Sequence, residues 1–287
     1  MERGNDDHET GPMAGPAAAV AITAHSPLAT QTVEIPEVQG VQPIAQPLPN
    51  GRVLLVGWGA EWRPDGPDRN ATIYGRDGRA ELAACVGDAV SHVRTTIDGS
   101  VWVGYDDMGI FGNNGWGEAG APPPIGSPGL IRFSPELKIE WEFPGDHSPD
   151  RIPGLSGPID DCEAIALDGD TLWMYYYSAF PVVRIDAGRD VRAWASRARE
   201  AAVPVNVKAV VADGQHVGLA GASGRAYQKD QVVVARLEDG WTHVRSVKLV
   251  LPDGSHLPIG VTMAGLGDTL HVFAGTDWYQ VGLAELL

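Results

Sequence analysis

The chain has 287 residues and a hydrophobic fraction of 44%, so it can bury a large core. Its formal net charge at pH 7 is −16. So acidic a surface argues against nucleic acids and anionic membranes as partners, because it would be repelled by both. No apolar run approaches the length of a membrane-spanning helix.

The chain begins with a segment, residues 1–28, that is rich in Ala, Gly, Pro and acids and has no periodicity. We expect a disordered tail there and a single domain over 29–287. A signal peptide begins with basic residues, whereas the first residues of this chain are acidic. The two cysteines, Cys85 and Cys162, fall in different predicted sheets, which argues against a disulfide. These features predict a cytoplasmic protein.

Short apolar runs separated by turn residues predict β-meanders, since the runs are too short for helices. The clearest unit has strands at Cys162–Leu167, Leu172–Tyr177, Pro181–Ile185 and near Val191–Ala195. Similar units occur five times along the chain. Their first turns are Asn50-Gly51, Asp98-Gly99, Asp168-Gly169, Asp213-Gly214 and Gly267-Asp268.

The fifth unit ends one strand short at the carboxyl terminus. Thr30–Val38 alternates like a strand, and we predict that it fills this place and so removes the exposed edges of an open ring. The sequence therefore predicts an all-β, five-bladed β-propeller that is closed by an N-terminal strand completing the last blade. Six blades stay possible if the first unit begins elsewhere.

The long connections between strands all fall on one face of the predicted ring, and loops on a rigid scaffold commonly carry function. At this face most inner-strand ends are apolar or small. Five residues break that pattern and are candidate catalytic groups: His92, Asp106, Glu163, Tyr177 and Lys208.

The expected roles follow from the chemistry of these side chains. Glu163 or Asp106 would be the base, Tyr177 or Lys208 the acid or electrostatic stabiliser, and His92 a helper. Two structural interpretations stay open beside these roles. Glu163 and Lys208 could form an ion pair between neighbouring units, and His92 could be a structural histidine.

A second group of residues on this face indicates a binding pocket. Aromatic side chains in the long loops can form the walls of a site for a flat or apolar ligand. The candidate ligand-binding residues are Trp58, Trp62, Phe111, Asn114, Trp116, Asp161 and Tyr176. The run Gly112–Gly117 is typical of a shaped loop in which glycines permit unusual dihedrals.

Two acidic pairs, Asp106-Asp107 and Asp160-Asp161, stand at loop entrances. They could cap turns, or Asp107 and Asp160 could be oxygen ligands for calcium, aided by Asn113 or Asn114. The chain has no zinc-type cluster, nucleotide-binding glycine motif or GxSxG motif. We therefore expect no cofactor, with calcium as the weaker alternative.

Three stretches, VWVGYDDMGIFGNNGWG, GLIRFSP and DDCEAIALDGDTLWMYYYSAFPVVRID, cover about a third of the chain. In them the chain resembles a group of uncharacterised bacterial β-propeller proteins, which implies the fold and assigns no residue a role. Five-bladed propellers also include glycoside hydrolases, which carry carboxylates at the starts of inner strands. This chain departs from that pattern, because Pro43–Ala45 stands where such an acid is expected.

The leading functional hypothesis is a small-molecule enzyme that uses acid–base side chains on the loop-rich face. An isomerase, lyase or cyclase fits the lack of an obvious nucleophile, and hydrolysis stays open because a carboxylate can activate water. The alternatives are a non-catalytic module that binds a small molecule or carbohydrate, and a scaffold for protein partners. The sequence leaves the oligomeric state undetermined.

Overall fold

The computed structural model describes residues 18–25, 30–38, 43–145, 151–187, 189–197, 203–221 and 230–287. Within these ranges the protein is all-β, apart from a few single helical turns. The two α-helices among these residues are α1 (Asp107–Phe111) and α2 (Leu283–Leu286). No helix in the described ranges is long and apolar enough to span a bilayer.

The strands form one hairpin followed by five antiparallel meanders. The hairpin consists of β1 (Ala18–His25) and β2 (Thr30–Val38). Meander 1 consists of β3 (Ile44–Leu48), β4 (Arg52–Val56), β5 (Ala71–Tyr74) and β6 (Ala80–Ala84). Meander 2 consists of β7 (Val90–Thr95), β8 (Val101–Tyr105), β9 (Leu130–Phe133) and β10 (Ile139–Glu142).

The remaining strands follow the same plan. Meander 3 consists of β11 (Asp161–Asp168), β12 (Thr171–Tyr177), β13 (Val182–Ile185) and β14 (Val191–Trp194). Meander 4 consists of β15 (Ala209–Ala212), β16 (His216–Ala220), β17 (Gln231–Leu237) and β18 (Trp241–Lys248). Meander 5 has three strands, β19 (Thr262–Leu266), β20 (Thr269–Ala274) and β21 (Asp277–Gly282).

Meander 3 shows why these stretches form strands. The four strands predicted for this unit are all present, and the Asp168-Gly169 turn joins the first two. Gly169 has a positive φ of 56°, a conformation that glycine adopts without steric cost. Apolar side chains on both faces of β11 and β12 are buried because each face packs against a neighbouring sheet.

Successive meanders pack face to face, with their first strands in contact from β3 through β7, β11 and β15 to β19. One apolar cluster joins meanders 1, 2 and 3, a second joins 3 and 4, and a third joins 4 and 5. A single parallel bridge between Leu167 and Leu266 also links β11 to β19. This is a propeller-type arrangement of sheets, and it brings the ends of the first strands together.

The predicted closing strand is present, but its predicted partner is wrong. Thr30–Val38 pairs with β1 in the hairpin and does not pair with meander 5. Its buried residues Val33 and Ile35 pack against meander 1 at Val53 and Leu55. The alternating apolar residues of β2 need an apolar sheet face, and meander 1 provides one.

Part of the segment that was predicted to be a disordered tail is a β-strand. Residues 18–25 of that segment form β1, while residues 1–17 and 26–28 lie outside the described residues. The division of the chain at residue 28 stays a prediction. Cys85 and Cys162 are both free thiols, in agreement with the prediction that they do not form a disulfide.

Candidate functional site

A cavity of about 420 Å³ opens on the loop-rich face, and we call it the mouth cavity. Three segments meet there: the turn after β8, the entrance to β11 and the end of β12. The lining residues are Asp107, Phe111, Asp160, Asp161 and Tyr177, all of them predicted site residues. Residues far apart in the sequence therefore converge because the sheets pack with their first strands side by side.

Asp106, a predicted base, is the N-cap of α1. Its Oδ1 accepts hydrogen bonds from the backbone N–H groups of Met108 at 3.0 Å and Gly109 at 3.3 Å. The Trp58 indole Nε1–H donates to Oδ2 at 3.4 Å. Burial raises the pKa of Asp106, while these donors act in the opposite direction. The capping interpretation of this acid is confirmed, and Trp58 is its hydrogen-bond neighbour.

Asp161 is in a different electrostatic environment. Burial, followed by the nearby charges of Asp106 and Asp107, raises its pKa to about 6, and the charge of Lys208 opposes this shift. Burial removes water from the charged form and the nearby negative charges repel it, so both effects disfavour ionisation. A carboxyl group with a pKa near neutrality can both accept and donate a proton. Asp161 is therefore a carboxyl group on the wall of the mouth cavity with a pKa suited to proton transfer.

Glu163, the other predicted base, is bonded to the entrance of meander 4. Its two carboxylate oxygens accept the backbone N–H groups of Asn206 at 3.1 Å and Val207 at 3.0 Å. Burial raises its pKa, and these two hydrogen bonds lower it. No ion pair joins Glu163 to Lys208, although the structure describes both residues. The predicted bridge between meanders 3 and 4 therefore exists, but it consists of hydrogen bonds to the backbone.

His92 is bonded to the backbone of β11. Its Nε2 lies 2.8 Å from the carbonyl oxygen of Glu163, so this nitrogen donates. Burial, and then the charge of Arg94, lower the pKa of His92 to about 3. The ring is therefore neutral at physiological pH and joins meanders 2 and 3. This geometry supports the structural interpretation of His92.

The aromatic rings at the mouth cavity are unusually accessible. Phe111 is 67% exposed and Tyr177 is 49% exposed, and both line the cavity. Large apolar surfaces in contact with water at a concave site are typical of ligand-binding surfaces. Trp58 is 42% exposed and donates a hydrogen bond to Asp106, but it does not line the cavity.

Asn114 and Trp116 are structural residues of the neighbouring loop and do not line the cavity. The Asn114 amide donates to both oxygens of the buried Asp88, and the Trp116 indole donates to the Ala60 carbonyl at 2.6 Å. Trp116 is 4% exposed, so its ring is part of the interior. A Cβ on Gly115 would lie 2.7 Å from the Trp62 carbonyl oxygen, which explains a glycine there.

Two further predicted binding residues are also placed elsewhere. Tyr176 is fully buried, with its ring 6.1 Å from that of Phe143, because alternation along β12 turns it to the opposite side from Tyr177. Trp62 packs on Trp116 at a ring distance of 5.5 Å. Both rings stabilise the sheets and loops that surround the cavity.

Asp88 is the residue that the sequence-based prediction missed. It is 2% exposed and accepts hydrogen bonds from the Ala60 backbone N–H at 2.8 Å and from the amides of Asn113 and Asn114. An acid inside the otherwise apolar and small run CVGDAV was the available signal. Buried carboxylates require such donors, so Asp88 organises the loop beside the mouth cavity.

The described residues provide no set of ligands for the calcium site considered above. In the part of the chain that the structure describes, no three His, Cys, Asp or Glu residues are grouped so that they could hold a metal ion. A larger concavity of about 640 Å³ lies at the opposite, tight-turn face, where Asp168, Asp213 and Asp268 line it. Its lining has no aromatic ring, so we favour the mouth cavity.

Comparison with known proteins gives one family match. The model of the YxzG family matches residues 150–228, well under half of the chain. No curated protein matches the chain. Similar solved structures include the luciferin-regenerating enzyme, at 12% identity with 95% of this chain and 92% of that chain covered and a TM-score of 0.47.

Two other solved structures are similar at the same level. The virginiamycin B lyase of Staphylococcus aureus has 11% identity, covers 93% of this chain and 84% of that chain, and gives a TM-score of 0.42. The WD40 repeats of RRP9 have 11% identity, cover 86% and 67%, and give a TM-score of 0.47. Similarity at this level carries no inference about activity.

Proposed function

We propose that this chain is a small-molecule enzyme that works by acid–base chemistry in the mouth cavity, with Asp161 as the proton-transfer group. The observation that carries the proposal is a carboxyl group with a pKa of about 6 on the wall of a cavity of about 420 Å³. Shifted carboxyl groups in concave sites are typical of general acids and bases. Asp161 takes the role that the sequence assigned to Glu163 or Asp106.

The neighbouring side chains complete the proposed machinery. Tyr177 lines the same cavity and carries a phenol that can donate a proton. The positive charge of Lys208 acts on Asp161 and can stabilise negative charge that develops on a substrate. These groups suit an isomerase, lyase or cyclase, and hydrolysis requires only that Asp161 activates a water molecule.

The scaffold for this site is proposed to be a five-bladed propeller in which each meander is one blade. Five meanders packed in sequence support this count. Closure through Thr30–Val38 is not part of the proposal, since that strand belongs to the hairpin. An experimental structure with six sheets around one axis would contradict it.

Two measurements test the role of Asp161. Carboxyl ¹³C NMR of the purified protein should show Asp161 titrating near 6, and a value near 4 would remove the basis of the proposal. Screening of isomerase, lyase, cyclase and hydrolase substrates should then give a turnover that Asp161→Asn abolishes. Glu163→Gln is the matched control. The Glu163 carboxylate accepts hydrogen bonds from the backbone of Asn206 and Val207, so turnover should persist in this variant.

A binding function without catalysis is the second candidate, and the exposure of Phe111 favours it. In a binding module the ring is the main contact, so Phe111→Ala weakens ligand affinity while Asp161→Asn leaves it nearly unchanged. In the enzyme, Asp161→Asn removes turnover even where the ligand still binds. Parallel binding and activity assays on these two variants separate the candidates.

A further inference from the structure

Arg94 lies on β7, the first strand of meander 2, opposite Trp102 of β8. It follows His92 by two residues, so both side chains point to the same side of the strand. On that side the ring of His92 contacts the Glu163 carbonyl of β11. The strands β7 and β11 are in contact, and the positive charge of Arg94 acts on His92 of one and Cys162 of the other.

The guanidinium of Arg94 has no anionic partner within the described ranges of the chain. Its one hydrogen bond there goes from Nη1 to the carbonyl oxygen of Val93, at 2.8 Å. Loss of hydration lowers its pKa, so the charge is held at a cost. Buried charges in proteins are normally paired, and this chain has 37 acidic residues from which a partner could have come.

Arg132 on β9 of the same meander shows the usual arrangement. Its Nη1 donates to Glu140 Oε2 at 2.6 Å, and its Nη2 donates to Ser100 Oγ at 2.8 Å and to Asp98 Oδ2 at 3.3 Å. The same sheet therefore contains one arginine whose charge is neutralised and one whose charge is not. Strand geometry alone does not explain the difference, because both residues lie in the row that passes through Trp102.

We propose that Arg94 anchors an anion-binding site between β7 and β11, which takes the carboxylate or phosphate group of a small molecule. All but one of its N–H donors lack a protein acceptor among the described residues, and the planar fork of a guanidinium matches two oxygens of such a group. Part of the surface of Arg94 is exposed to solvent. This anion-binding role does not depend on the proton chemistry proposed for Asp161.

The site has a signature in stability. Replacing an unpaired, poorly hydrated charge by an apolar chain of similar length removes a cost, so Arg94→Met should leave the free protein as stable or more stable. Arg132→Met removes a paired charge and leaves two carboxylates without it, so it should lower stability. Urea unfolding of both variants in buffer without phosphate or carboxylates measures this contrast.

Binding is tested with two probes, sodium phosphate and sodium acetate, by calorimetry in a low-chloride buffer. We expect saturable binding of at least one probe, weakened by about tenfold or more in Arg94→Met and retained in Arg132→Met. The two arms distinguish a phosphate ligand from a carboxylate ligand. Binding that is absent in the wild type, or equal in Arg94→Met, would overturn the proposal.

The imidazole of His92 provides an independent readout. Its pKa of about 3 is lowered partly by Arg94, so an anion on Arg94 should raise it. Arg94→Lys keeps the charge but loses the fork, and serves if Arg94→Met fails to fold. In that variant the probe should bind more weakly and shift the His92 resonance less than in the wild type. An unchanged His92 resonance in the wild type at saturating probe would contradict a site at Arg94.

Discussion

Asp88 and Asp161 are carboxyl groups on the same loop-rich face, yet their surroundings are opposite. Asp88 is enclosed and accepts hydrogen bonds from Ala60, Asn113 and Asn114. Asp161 lines a cavity, and its carboxyl group faces the charges of Asp106 and Asp107. The first arrangement provides a buried carboxyl group with hydrogen-bond donors, whereas the second makes ionisation of Asp161 unfavourable.

This difference separates a structural acid from a candidate catalytic acid. Removing a buried carboxyl group that is surrounded by hydrogen-bond donors leaves those donors unsatisfied. A carboxyl group next to like charges exchanges its proton easily, and its removal relieves repulsion. Substitutions at the two kinds of position should therefore change stability in opposite directions.

Among the carboxyl groups, the largest effect on stability is expected at Asp88. Asp88→Ala leaves the Ala60 N–H and the two asparagine amides without an acceptor, and should lower the free energy of unfolding by about 3 kcal/mol. Urea unfolding followed by tryptophan fluorescence measures this loss, since Trp116 lies in the same loop. Asp107→Ala is the control on the exposed side of the face and should change stability by less than about 0.5 kcal/mol.

Glu163 combines features of both acids, because burial raises its pKa while two backbone N–H groups donate to its carboxylate. Glu163→Gln keeps one acceptor oxygen for the backbone N–H groups of Asn206 and Val207 but loses the charge, so we expect a loss of about 1 kcal/mol. Turnover should persist. A variant that unfolds normally but has no activity would return the catalytic role to Glu163.

The sheets could be predicted from the sequence because their signals are local. Alternation and the Asp168-Gly169 turn identify β11 and β12 from a few neighbouring residues. The partner of Thr30–Val38 could not be predicted, because alternation specifies a strand and a buried face but not which sheet supplies the opposite face. Its partner β1 lies in a small, apolar stretch that lacks a clear alternation.

The mouth cavity could be predicted from topology, since long loops on one face must converge. The roles within it could not. Whether Glu163 or Asp161 is free to exchange a proton depends on the backbone N–H groups of Asn206 and Val207, more than forty residues away. Only the packing of meander 3 against meander 4 brings them together. Trp116 was similarly ambiguous, because a loop tryptophan can line a pocket or anchor the loop from within.

The pH dependence of stability tests Asp161 directly. Its pKa is raised in the folded protein, so the folded state holds this proton more tightly than the unfolded chain, and stability falls as pH rises from about 4 to about 6. Asp161→Asn should therefore stabilise the protein by about 1 kcal/mol above pH 7, after allowance for solvent screening, and by almost nothing near pH 4. Urea unfolding at the two pH values measures this difference.

Asp160→Asn is the matched control for that experiment, because Asp160 lines the same cavity without contributing to the shift at Asp161. Its effect on stability should be small and similar at both pH values. If Asp161→Asn and Asp160→Asn changed the free energy of unfolding equally at both pH values, the neighbouring acids would not act on Asp161 in particular.

The smallest effect on stability is expected at Phe111. Its ring is 67% exposed, so Phe111→Ala removes little buried area and should change the free energy of unfolding by less than about 0.5 kcal/mol. The same change removes one aromatic wall of the mouth cavity, so any ligand that stacks there should bind more weakly. Trp116→Ala is the contrasting variant, since its buried ring should cost about 3 kcal/mol on removal. A loss of stability at Phe111 comparable to that at Trp116 would show that the exposed ring serves the fold, and would remove it from the proposed binding surface.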